Sequence, residues 1–202
     1  MIHLSIDGNP VEYSDSITIL EATRELGIYI PTLCHNNYIK PYGGCRLCLV
    51  EVATEKKPEA SKLMAACCSH IKDGQVVRTN TEKIEVLRKF IIELLLSRSP
   101  DSDTLKKIAQ HIGVPKDHSA LDPVGKYLLT RAKPLLETKC ILCGLCVRVC
   151  AEITERHAIS FIAKGMKRKV ITPFGKVAQT CIGCGACAYV CPTNAITIEE
   201  AP

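Results

Sequence analysis

The side chains best equipped for chemistry in this 202-residue chain are its thirteen cysteines. Their spacing sorts twelve of them into three sets. Two sets are copies of one pattern, Cys140-Ile-Leu-Cys143-Gly-Leu-Cys146-Val-Arg-Val-Cys150 and, 41 residues later, Cys181-Ile-Gly-Cys184-Gly-Ala-Cys187-Ala-Tyr-Val-Cys191. Three thiolates spaced C-x2-C-x2-C can wrap three corners of an iron–sulfur cubane, and a fourth, after three intervening residues, serves a neighbouring cubane. This assigns Cys140, Cys143, Cys146 and Cys191 to a first [4Fe–4S] cluster, and Cys181, Cys184, Cys187 and Cys150 to a second. Gly144 and Gly185 follow the second cysteine of each copy, where a bare backbone can approach the cluster and its N–H groups can donate to sulfur. Zinc is the rival metal, but zinc sites pair widely separated C-x2-C hooks, whereas a tight triple with a trailing fourth, ending in Cys191-Pro192, is the cubane pattern. Ala151 stands after Cys150 where that pattern has proline, which is not a ligand.

The third set is Cys34, Cys45 and Cys48, followed by the adjacent Cys67 and Cys68. Its C-x10-C-x2-C spacing is longer than the C-x4-C-x2-C of plant-type [2Fe–2S] ferredoxins. Spacing alone leaves the fourth ligand open between Cys67 and Cys68. We take Cys67, so that Cys68 is the thirteenth cysteine, a small buried hydrophobe. Zinc held by these cysteines with His35 is the weaker alternative. The six histidines show no mutual ligand spacing, no acid–base carboxylate pair stands out, and neither GxGxxG nor GxxxxGKS/T occurs. The chemistry implied is electron transfer, with no catalytic residue of its own.

Elements must position these sulfurs. Ile2, Leu4 and Ile6 alternate up to an Asp7-Gly8 turn and resume at Val11 and Tyr13, a hairpin. Thr18-Ile-Leu-Glu21 is a capping box opening a helix that Gly27 ends. Leu49–Val52 and Val76-Val77 read as strands. Residues 81–97 form a helix with the stripe Ile84, Leu87, Ile91 and Leu94, and a shorter helix runs from Asp103 to Ile112 between Ser102 and Gly113. Residues 114–135 have no clear period and read as connector, and Lys169–Thr172 supplies a strand. The fold class is α+β: a [2Fe–2S] ferredoxin-like, β-grasp domain over 1–79, a helical connector over 80–135, and a two-[4Fe–4S] bacterial-ferredoxin-like domain over 136–202.

Aromatic residues make up only 4% of the chain and tryptophan is absent, so the cores are thin and bound metal must help to staple them. The opening MIHLSIDG is a strand pattern rather than a signal peptide, and no apolar run approaches a membrane span. A cytoplasmic location is expected, where clustered cysteines mean metal rather than disulfides. The net charge of +5 is modest; Lys164, Lys167, Arg168 and Lys169 read as a solvated hairpin face, without the interleaved aromatics of a nucleic-acid site.

Thr18-Ile-Leu-Glu-Ala22, Ile30-Pro-Thr-Leu-Cys34, Cys45-Arg-Leu-Cys-Leu-Val-Glu51, Ala66-Cys67, Glu93-Leu-Leu-Leu96 and both cysteine repeats together carry a resemblance nearly end to end. The chain resembles the iron–sulfur diaphorase subunit of NAD-reducing hydrogenases. It is similar also to the N-terminal iron–sulfur region of the complex I large subunit and to iron–sulfur subunits of NAD-linked formate dehydrogenases. The Ala66-Cys67 match favours Cys67 as ligand. The resemblance implies an electron-transfer subunit of a cytosolic complex, partnered by a flavoprotein that oxidises NAD(P)H and by a hydrogenase- or formate-dehydrogenase-type subunit, with ferredoxin as a further partner. It also implies a third cubane, held by one histidine and three cysteines after the long helix. Ser97–Gly113 has no cysteine, so this middle cluster is expected to be missing and the two lobes to lie closer together or be bridged by a partner's cluster. A free ferredoxin shuttle and a zinc-stabilised interaction module are the alternatives; a shuttle would not need the long helix.

Overall fold

Ile2, Leu4 and Ile6 place one apolar face along β1 (Ile2–Ile6), which turns at Asp7 and Gly8 into β2 (Asn9–Tyr13). Both turn residues have positive φ, 48° and 85°, the left-handed pair that suits a two-residue hairpin. The structure is a computed structural model that describes residues 1–115, 139–172 and 179–198. Thr18 caps α1 (Ile19–Glu25). Its hydroxyl accepts from the Glu21 amide, and the Glu21 carboxylate accepts from the Thr18 N–H at 2.7 Å, so both halves of the box are closed.

Strands β3 (Leu49–Thr54), β4 (Lys57–Ala65) and β5 (Gln75–Arg78) complete a five-stranded sheet of order β2-β1-β5-β3-β4. Only the central β1–β5 pair is parallel. Ile19, Leu20 and Ala22 of α1 share a core with Leu4, Ile6, Val50, Val52 and Val77 of the sheet. This is the mixed sheet with one packed helix that the alternation and capping signals imply. β4 is an addition. Most of its residues are exposed, with Lys57, Glu59 and Lys62 on the sheet edge, so no apolar alternation marks it. Charges on such an edge discourage pairing with another chain.

Two helices follow: α2 (Glu82–Arg98), capped by Thr81, and α3 (Asp103–His111), capped by Ser102. The buried face of α2 differs from the expected stripe. Ile84, Arg88 and Ile92, four residues apart, lie buried with Glu93, while Leu94 is exposed. Arg88 causes the rotation: its Nε donates to the Leu47 carbonyl at 3.1 Å and its Nη2 to the Leu49 carbonyl at 2.8 Å. A buried cation is tolerable when its donors are satisfied in this way. Leu105, Ile108 and Ala109 of α3 pack with Ile92, and the same core takes in Leu33 and Leu47 from the N-terminal lobe and Ile141 from the C-terminal one. The helices therefore wedge an apolar plug between the lobes. The connector read over 114–135 lies, from residue 116, outside the described residues.

In the C-terminal lobe α4 (Leu145–Glu152) and the one-turn α5 (Ala186–Tyr189) pack against each other, beside a hairpin of β6 (Ser160–Ile162) and β7 (Lys169–Ile171). The strand expected at Lys169–Thr172 is β7. No described helix is long and apolar enough to cross a membrane.

Arg88→Ala removes two charge-assisted hydrogen bonds at about 1.5 kcal/mol each. The expected loss of about 3 kcal/mol is read as a lower urea midpoint for the helical circular-dichroism signal.

Candidate metal centres

α4 begins at Gly144 with φ 76° and α5 at Gly185 with φ 73°. This left-handed start throws each chain from the cysteine loop into a helix, setting Cys146 and Cys150 on α4 and Cys187 on α5. The two glycines were expected to clear room for a cluster. A Cβ at Gly144 would also meet the Phe161 ring at 3.2 Å, and one at Gly185 would meet Ile198 Cδ1 at 2.9 Å. They serve the turn and the packing of one apolar side chain each.

Cys140, Cys143, Cys146 and Cys191 line one cavity of about 350 Å³, so a cysteine of the second copy does join three of the first. Burial pushes the Cys187 thiol upward, and the charges of Cys184 and Cys150 add to it. The two crossing cysteines are held alike: the Ala158 amide donates to Cys150 Sγ at 3.3 Å and the Ala195 amide to Cys191 Sγ at 3.2 Å. Such N–H···S bonds favour the charged sulfur and tune a bound cluster. Cys181 and Cys184 are exposed, whereas Cys146 and Cys150 are buried.

In the N-terminal lobe Cys34, Cys48 and Cys67 are buried and Cys45 is half-buried. Cys48 and Cys67 lie with their sulfurs 3.3 Å apart, and the Cys45 amide donates to Cys34 Sγ at 3.3 Å. Cys68 corrects the expectation of a buried hydrophobe: it is exposed. Cys67 Sγ lies against Cys48, while Cys68, whose sulfur stays 3.5 Å from that of Cys67, reaches the surface. Cys68 Sγ then rests over Gly43, where a Cβ would come within 2.8 Å of it. His35 is tied into the loop instead of joining the sulfurs, its Nε2 lying 3.1 Å from Asn37 Oδ1. Among the described residues, no three ligating side chains converge as a single ion requires.

The thiols split by environment. The hydrogen bond shared with Cys45 pulls Cys34 down to about 6, and the one shared with Cys67 pulls Cys48 down to about 7. The same shared bonds, together with burial, push Cys45 and Cys67 up. In the first C-terminal set burial dominates, raising Cys143 to about 11 and Cys146 to about 12, with neighbouring sulfurs adding to the rise.

The lobes touch directly. Arg148 Nη2 donates to the Cys34 carbonyl at 2.7 Å and Nη1 to the Lys40 carbonyl, while Glu152 accepts from the Lys40 amide at 2.7 Å. Ile39 is buried against Leu145 and Val149. At the other end of the plug, Arg98 Nε donates to the Cys140 carbonyl at 2.7 Å. Sequence reasoning missed Arg88, Arg98 and Arg148, since an arginine on a helix reads as solvated. The one available signal was a contrast between the repeats, Arg148 in one against Tyr189 in the other.

Residues 1–82 match the 2Fe-2S iron-sulfur cluster binding domain, and residues 139–195 match the 4Fe-4S dicluster domain. An NADH-quinone oxidoreductase subunit of Rhizobium meliloti (strain 1021) is 33% identical over 97% of the chain. The alpha subunit of NADPH-Fe(3+) oxidoreductase from Geobacter sulfurreducens is also 33% identical over 97% of it. The NADP-reducing hydrogenase subunit HndD of Solidesulfovibrio fructosivorans is 28% identical over 99%. The chain spans 24% of the length of each of the first two and 36% of the third. In overall fold it is similar to a chain of the NAD+-reducing [NiFe]-hydrogenase crystal structure in the H2-reduced state, with a TM-score of 0.75 at 23% identity, covering 96% of this chain and 86% of that one. The two domains carry one [2Fe–2S] and two [4Fe–4S] clusters.

Thiols raised to about 11 and 12 hold their protons at neutral pH and must release them to bind iron. Below those values each unit of falling pH weakens binding about tenfold per proton released. Iron retained against a fixed chelator is therefore expected to fall steadily from pH 8 to pH 6; retention independent of pH would contradict it.

Proposed function

We propose, from the match of residues 1–82 to a 2Fe–2S cluster-binding domain and of residues 139–195 to a 4Fe–4S dicluster domain, that the chain relays single electrons inside a multisubunit NAD(P)-linked oxidoreductase. The observation that carries this reading is the gathering of thiols into separate sets in two lobes that touch through Arg148, Ile39 and the α2–α3 plug. The clusters, when bound, supply reversible one-electron oxidation and reduction. The chain's own residues hold them, shape the space around them and fix the lobes against each other.

Cys34, Cys45, Cys48 and Cys67 are the ligands we propose for the [2Fe–2S] cluster. Cys140, Cys143, Cys146 and Cys191 hold the first [4Fe–4S] cluster, and Cys181, Cys184, Cys187 and Cys150 the second. The working units are a [2Fe–2S] domain over 1–79, a linking segment over 80–135 and a two-cubane domain over 136–202. A middle cluster has no cysteines to hold it in Ser97–Gly113, and α3 instead presents Leu105, Ile108 and Ala109 to a core shared by both lobes. Direct contact between the lobes then takes the place of that stepping stone. The partners we propose are a flavoprotein subunit that oxidises NAD(P)H and a second redox subunit of hydrogenase or formate dehydrogenase type, in the cytoplasm, with ferredoxin as an external carrier. The similarity to an NADPH-Fe(3+) oxidoreductase subunit and to an NADP-reducing hydrogenase subunit supports redox partners linked to NAD(P).

Anaerobically purified chain is expected to hold about ten irons, two in a binuclear and eight in cubane clusters; about six would remove one cubane. Cys67→Ser is expected to abolish the binuclear electron paramagnetic resonance signal with about two irons, whereas Cys68→Ser keeps both. The reverse result would transfer the ligand role to Cys68.

A further inference from the structure

Arg148 lies on α4 between Cys146 and Cys150, proposed ligands of two different cubanes, yet its guanidinium serves the other lobe. Its two terminal nitrogens donate to the carbonyls of Cys34, at 2.7 Å, and Lys40, and its fork lies 5.2 Å from the centre of the Tyr42 ring. One turn further along α4, Glu152 accepts the Lys40 amide. Between these two grips Ile39 is buried against Leu145 and Val149. All of these contacts fall within residues 34–42, in the stretch whose length makes the C-x10-C spacing longer than the plant-type one. The added length of the loop is therefore laid on α4.

The other copy of the repeat shows that holding a cubane does not require this arginine. Its counterpart, 41 positions on, is Tyr189, which is 90% exposed. Arg148 is half-buried, where charges act through a lower effective dielectric than in water. A positive charge bonded to the main chain of a ligand cysteine favours the more negative, reduced form of the cluster that cysteine holds.

Resting on the relay reading above, we propose that Arg148 is a positioning residue that pins the Cys34–Cys45 loop to α4 and, through its charge, raises the reduction potential of the [2Fe–2S] cluster. Glu152 pins the same loop with the opposite charge and lowers that potential. A purely structural clamp would move the potential in the same direction whichever grip was lost. A charge-setting clamp moves it in opposite directions.

The test is a potentiometric titration of the full chain, followed by low-temperature electron paramagnetic resonance, with iron and sulfide measured on every sample. Arg148→Gln keeps donors but loses the charge, and is expected to shift the binuclear midpoint downward. Arg148→Lys keeps the charge and is expected to hold that midpoint near its original value. Glu152→Gln is expected to shift it upward, by less, because Glu152 is exposed. The two cubane midpoints are recorded in the same titration and are expected to move less than the binuclear one, because both grips are bonded to the Cys34–Cys45 loop. An unmoved binuclear midpoint in Arg148→Gln, or shifts of one sign in both glutamine variants, overturns the proposal. Should Arg148→Gln lose its binuclear cluster, the sign of the Glu152→Gln shift decides alone. Absence of iron from the unsubstituted chain would defeat the relay reading itself, a result distinct from any of these.

Discussion

Crowding thiols into a small buried space is unfavourable once they ionise, and almost everything in this molecule follows from how that crowding is relieved. Burial drives Cys143 and Cys146 far toward the protonated form, and each adjacent sulfur adds to the effect. Iron reverses the sign: the same crowding that repels four bare thiolates binds a cationic core tightly. The surrounding C-terminal elements are slight. α5 has four residues, β6 and β7 have three each, and among the described residues the local apolar cluster buries only Ile39, Leu145 and Val149. Such a lobe gains its order from metal–sulfur bonds more than from apolar burial.

Loops that wrap clusters leave many backbone carbonyls without strand or helix partners, and a buried carbonyl needs a donor. Three arginines meet this need from neighbouring helices. Arg88 reaches the carbonyls on either side of Cys48, Arg98 reaches Cys140, and Arg148 reaches Cys34. The forked guanidinium suits the task, since one side chain can serve two carbonyls at once. It also sets fixed positive charge beside sulfur that is negative when loaded. Support of the loops and compensation of charge are thus performed by the same groups.

This is also where the sequence was least informative. Local signals were plain: the Asp7-Gly8 turn, the Thr18–Glu21 box, the caps at Thr81 and Ser102, and the repeated cysteine pattern each act within a few residues. What could not be seen depended on distant neighbours. β4 lacks apolar alternation because it is an edge. Arg88 lies on the buried face of α2 only because two carbonyls 39 and 41 residues away wait for it. Cys67 and Cys68 are chemically identical in the sequence and differ in burial, one enclosed and the other exposed. Gly144 and Gly185 suggested clearance for a cofactor, and the neighbours they accommodate, Phe161 and Ile198, lie well outside the motif.

The sulfurs of the three sets do not meet solvent equally. Cys34, Cys48 and Cys67 are almost wholly enclosed, Cys146 is buried, and Cys181 and Cys184 stand in the open at the far end of the repeat. With the ligand sets proposed above, dissolved oxygen and small oxidants would meet the cubane held by Cys181 and Cys184 first. Oxidative damage in such an arrangement proceeds inward from one end, and the interior centres outlast the terminus that faces the surroundings.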